Sequence, residues 1–161
     1  MTINEVVLQK TAEWRHPGNG RKTLFLPDKG SGWAVFLHAD RNDELGCLVW
    51  EVALRRTSPP APSADGLKGW ADRTAGRVTG LLDPLKVLEV DVQRQEALLR
   101  SAQATPRGGA LIYYEVLLQG TGEVVLRRFQ APHDGNRRRQ QIPFALTHEA
   151  LAKVVADLAA D

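Results

Sequence analysis

The residues best equipped for chemistry are arginines near aromatic rings. Arg55-Arg56 and Arg127-Arg128 close two apolar runs, Arg137-Arg138-Arg139 follows shortly after, and Tyr113, Tyr114, Trp33 and Trp50 lie in neighbouring apolar segments. A guanidinium offers a planar fork of donors that grips phosphate or carboxylate in two places. Rings beside such groups on an open sheet could stack bases while the arginines hold phosphates. Adjacent residues of a strand point to opposite faces, so only one of Arg127 and Arg128, or of Arg55 and Arg56, can join a given patch. The candidate nucleic-acid contacts are therefore Arg55, Arg127, Arg128, Arg137, Arg138, Arg139, Tyr113 and Tyr114. The competing readings are that these rings fill a core and that residues 137–139 form a solvated loop. The excess of arginine, 15 against 6 lysines, also accords with a chain rich in alanine and glycine.

Other chemistry finds little footing. The histidines His16, His38, His133 and His148 show no H-x-x-x-H or H-E-x-x-H spacing, and Cys47 has no C-x-x-C partner, so no metal is expected. No nucleophile elbow and no phosphate-binding glycine loop occurs. His38 and Asp40 share a strand face and could act as a base pair, although a solvated strand end is the simpler account. Glu51 and Glu115 hold matching strand positions and could form an acid/base pair, or each could project from a wet sheet face. His148-Glu149 in a first helical turn has an ordinary structural role. Cys47 lies in an apolar run and reads as a small buried hydrophobe. No catalytic residue and no cofactor is expected; the chain does not read as an enzyme.

The elements that must position these residues are short strands and helices. Residues 5–15 read as a strand, followed by a turn-rich stretch, 16–21, and a short apolar strand, 22–26. Residues 33–40 and 45–56 form an antiparallel hairpin. The proline-rich stretch 57–63 is a linker. From Asp65, a candidate N-cap, Leu67, Trp70, Thr74, Val78 and Leu81 fall on one helical face, and Asp83-Pro84 ends that helix. Residues 86–93 alternate, with Leu88, Val90 and Val92 expected on the buried side. The pattern continues through 96–101, and 104–109 is a loop. Gly120-Thr121-Gly122 joins the strands 110–119 and 123–130. Pro143 makes 141–146 a short edge strand. Thr147 caps a last helix that buries Leu151, Val154, Val155 and Leu158.

The whole is 161 residues with 43% hydrophobic and 25% charged residues and a net charge of +2. That excludes disordered, collagen-like and coiled-coil chains and fits one α+β domain, 1–161. No apolar run is long enough to span a bilayer, and a lone cysteine with no signal-peptide pattern points to the cytoplasm. Residues 1–83 and 84–161 each read as several strands followed by a helix, an internal repeat of two ββββα-like halves with antiparallel sheets and pseudo-two-fold symmetry.

Given twice in this length, and with a basic edge strand (RRQQIPFAL) running into a helix (THEALAKVVADLAAD) at 138–161, this order resembles PUR-repeat and Whirly-type single-stranded nucleic-acid-binding proteins. The resemblance implies a non-catalytic module that binds single-stranded DNA or RNA through an arginine and aromatic sheet face. The alternative from the residues themselves is a protein-interaction or small-ligand domain.

Overall fold

The computed structural model describes residues 1–81, 83–102, 105–132 and 138–160, without the side chains of Ala64 and 105–107. Three helices are α1 (Ile3–Glu13), α2 (Ala64–Arg77) and α3 (His148–Ala159). The strands are β1 (Lys22–Leu26), β2 (Trp33–Asn42), β3 (Gly46–Arg56), β4 (Leu85–Asp91) and β5 (Glu96–Ser101), then β6 (Thr105–Arg107), β7 (Ala110–Gln119), β8 (Glu123–Pro132), β9 (Gln140–Ile142) and β10 (Phe144–Thr147). They join in one antiparallel sheet whose main path runs β1-β2-β3-β8-β7-β5-β4. Both hairpins expected from the sequence, β2–β3 and β7–β8, are present.

All three helices share a core with the same face of the sheet. Val7 of α1, Leu67 and Trp70 of α2, and Leu151, Val155 and Leu158 of α3 join Val35, Leu37, Val52, Leu54, Val116, Leu118 and Leu126 in one apolar cluster. The apolar faces read for α2 and α3 are therefore the buried ones. α2 lies over β4 and β5, whereas α1 and α3 pack together near β3 and β10.

Among the described residues, 1–83 contain three strands between two helices, and 84–161 contain seven strands and one helix. The matched ββββα order of two halves is not what these elements display.

Five local expectations need correction. Residues 105–107, expected within a loop at 104–109, form β6, paired with β7. The stretch 5–15 is helical, not extended. Thr2 accepts from the Glu5 backbone while the Glu5 carboxylate accepts from the Thr2 N–H, a reciprocal cap that outweighs the β-branched pair Val6-Val7. In α2 the cap is Ser63 instead of Asp65, and the helix stops at Arg77, well before Asp83; Val78 and Leu81 are buried beyond it.

In β4 a register shift between Val87 and Glu89 moves the apolar residues out of phase. Leu88 is 47% and Val92, beyond the strand, 43% exposed, while Leu85, Val87 and, as expected, Val90 meet the core; the extra residue breaks the alternation between Val87 and Val90.

Finally, 141–146 is not one edge strand on the rim of the sheet but parts of two short ones, β9 and β10, each with one hydrogen-bonded neighbour among the described residues. β3 and β8 pair only over Val52–Arg55 and Glu123–Leu126. Beyond that they part, and β9 fills the gap on β8 while β10 fills it on β3. Pro143 lies where the chain crosses from one to the other, a point that needs no ladder N–H. At the fork the Gln141 side chain donates to the Trp50 carbonyl at 2.9 Å.

Candidate functional site: the helix-free face of the sheet

Residues paired across antiparallel strands share a face, so the register defines what the uncovered side presents. One row is apolar across six strands: Phe25, Phe36, Ala53, Val125, Leu117 and Leu98. At ~4.8 Å per strand it extends for about 24 Å. Phe25 is 52% exposed, and the other five are half-buried. Phe25 and Phe36 stack with ring centres 4.9 Å apart.

A polar row flanks this stripe on each side. One carries Ala34, Arg55, Glu123, Gln119 and Glu96. The other carries Thr23, His38, Glu51, Arg127, Glu115 and Arg100. Charges in the second row alternate, and neighbours pair. Arg127 Nε donates to Glu51 at 2.6 Å, and Arg100 donates to Glu115 at 3.1 Å. Arg139, entering just before β9, donates from both terminal nitrogens to Glu115 at 2.6 and 3.3 Å. Burial works against the charge of Arg139, but its hydrogen bonds to Glu115 and Tyr113 outweigh that and raise its pKa. Arg55 pairs with Glu123 at 3.3 Å, and Arg21 with Asp40 at 2.9 Å.

Three rings on this face carry a guanidinium group already, and the exposed Phe25 does not. Arg21 lies 3.6 Å above the centre of Trp50, Arg139 3.8 Å above Phe129 and Arg100 4.6 Å above Tyr113. Such contacts hold planar cations in place. They also occupy surfaces on which a base would stack.

The expected site residues divide accordingly. Arg55, Arg127, Arg139 and Tyr113 lie on the open face, with Tyr113 buried beneath the arginines. Arg128 and Tyr114 lie on the helix side, where Arg128 sits 4.7 Å from the Tyr114 ring and Tyr114 packs edge-on against Phe144. Arg56 is also on that side, against Trp33 and Trp70. Arg138 is exposed, and Arg137 and His133 lie outside the described residues. The split of each arginine pair follows from strand alternation.

Arg21 and Arg100 did not stand out in the sequence, although Arg100, two residues after Leu98 on β5, shares its face by period two. Glu51 and Glu115 do lie on the open face, but as separate ion-pair acceptors. His38 meets Thr23 Oγ1 at 2.7 Å through Nδ1, and its Nε2 is 3.6 Å from Glu51. His148 is buried and shares the Asn42 carbonyl oxygen with the Cys47 thiol, each at 2.8 Å. Burial pushes the Cys47 thiol up to about 12, which removes it as a nucleophile at neutral pH. Among the described residues no cluster of three or more His, Cys, Asp or Glu could hold a metal ion, and no helix is long and apolar enough to cross a membrane.

No family model, curated protein or solved structure matches this chain.

Proposed function

We propose that this chain is a non-catalytic binding domain whose helix-free sheet face docks another protein. The observation that carries the reading is the six-strand apolar stripe flanked by charged rows whose ions pair within the sheet. A partner suited to it is apolar along its middle and polar, without strong net charge, along its margins. Such a surface gains from leaving water and finds hydrogen-bonding groups at the rim.

Single-stranded nucleic acid is the second reading, supported by the arginine–ring pairs on the same face and by the resemblance to PUR-repeat proteins. It ranks lower because Arg55, Arg127 and Arg139 already face carboxylates. Phosphate would have to displace them.

One comparison separates the two. The purified chain and its Phe25→Lys variant are each cross-linked in extract of the source cells, and anisotropy is read with labelled 30-nucleotide single strands at ~50 and ~200 mM salt. The expected result is a discrete protein captured by the wild type and lost with Phe25→Lys, with no binding of single strands. Binding of single strands that weakens with salt at a log–log slope of about −2 to −3, and is lost in Arg127→Gln/Arg139→Gln, would replace this reading by the second.

A further inference from the structure

Strands of the open face repeat one triplet: a charge, an apolar residue of the stripe, then the opposite charge, at alternate positions. On β3 these are Arg55, Ala53 and Glu51; on β8 Glu123, Val125 and Arg127; on β5 Glu96, Leu98 and Arg100. On these strands the two rows flanking the stripe are therefore opposite in sign.

That inversion has a geometric consequence. A second copy laid face to face, turned by half a turn about the line of the stripe, keeps each strand over its counterpart and exchanges the two rows. Arg55 then meets Glu51 of the second copy, Glu123 meets Arg127, and Glu96 meets Arg100. The two-fold axis makes each encounter twice, and none of them sets like charges together. Gln119 meets Glu115, Ala34 meets His38, and each stripe residue meets its own counterpart, so the Phe25 and Phe36 rings of the two copies close on one another. The strands stay aligned, as in sheets that pack face to face ~10 Å apart. On β4, beyond the stripe, Asp91 is level with Glu96 and Lys86 with Arg100, which repeats the inversion. Glu89, level with Leu98, meets its own copy, but it is exposed at the rim.

The size of the patch sets the strength. At about 4.8 by 6.8 Å per residue, the stripe and its two rows cover roughly 550 Å2 of each copy and about 1,100 Å2 of a pair. That clears the ~1,000 Å2 expected of a specific interface and stays below the ~1,600 Å2 of a typical one. Arg55, Arg127 and Arg100 already have carboxylates within their own sheet, so the ions give register more than affinity. The association is weak and reversible.

We propose that two copies of the chain close their open faces on each other in a two-fold dimer. The proposal rests on the docking reading for the use of this face and adds its regulation: a second copy and a partner compete for one stripe. At ~1 μM the face is open; at tens to hundreds of micromolar the second copy keeps the stripe from water.

The test is sedimentation equilibrium of the purified full chain from ~1 μM to ~1 mM. A monomer–dimer equilibrium with its midpoint at about 10–100 μM is expected. Arg55→Glu, at an exposed position, faces Glu51 of the second copy and should weaken the dimer about tenfold or more, as should Glu51→Lys. Mixed together, the two variants should associate about as well as the wild type, because the new acid of one copy faces the new base of the other. If Glu51→Lys does not fold, Glu123→Lys mixed with Arg127→Glu makes the same exchange on β8. A chain that stays monomeric to ~1 mM, or a dimer that Arg55→Glu leaves unchanged, overturns the proposal; the docking reading is decided separately, by capture in extract. A mixture that does not recover overturns the exchange of rows.

Discussion

Glu115 shows how this protein handles charge at single residues. It is 6% exposed, yet it lies on the helix-free face. A buried carboxylate survives only with partners, and here Arg100 and Arg139 both donate to it. Glu115→Ala leaves two guanidinium groups without their shared acceptor, and chemical denaturation should read a loss of about 1–3 kcal/mol. Cys47 makes the complementary case. Its folded thiol stays protonated up to about 12, against 9.0 when free of the fold. Between those values the unfolded chain releases a proton that the folded chain keeps, so stability is fully present below ~pH 9 and falls as the pH rises towards 12. Burial raises the Tyr114 hydroxyl too, with Arg128 opposing it, and adds in the same direction. Melting temperatures from pH 8 to 11 should therefore decline, less steeply in Cys47→Ala, and native Cys47 should resist iodoacetamide at pH 8.

Elements were legible where one local signal acted alone. The β2–β3 and β7–β8 hairpins and the capped helix α3 follow from period and turn chemistry, and they are where those rules put them. Leu158 of α3 is fully buried, so Leu158→Ala should cost about 2–5 kcal/mol in a denaturation series. Where two signals competed, the reading failed for definable reasons. Val6-Val7 favours a strand, but Thr2 and Glu5 close a reciprocal cap and α1 docks on α3. A bulge beside Leu88 is invisible to strict alternation. The wedge of β9 and β10 depends on β3 and β8 parting after four paired residues each, which no local pattern encodes. The wedge makes one residue critical. A Cβ on Gly46 would collide with the Leu146 carbonyl of β10. Gly46→Ala should lower stability and raise amide exchange across Phe144–Thr147 before it affects β7–β8, as hydrogen exchange can resolve.

At the scale of the whole molecule, one sheet has, among the described residues, a face buried under three helices and a face that no helix covers. The class of the fold was legible because apolar periods and turns determine it locally. The candidate site was legible only in part: strand alternation splits Arg127 from Arg128, but which carboxylates answer the arginines depends on pairings 15 to 76 residues apart. The central claim is that the open face is where a partner docks. It is tested most directly by hydroxyl-radical footprinting of the chain, alone and in extract of its source cells. The account predicts that oxidation of Phe25, Phe36 and Leu117 falls in the extract while Leu45 and Val92, exposed elsewhere, react as before. Unchanged oxidation of Phe25 and Phe36, or protection centred on Leu45 or Val92 instead, would contradict it.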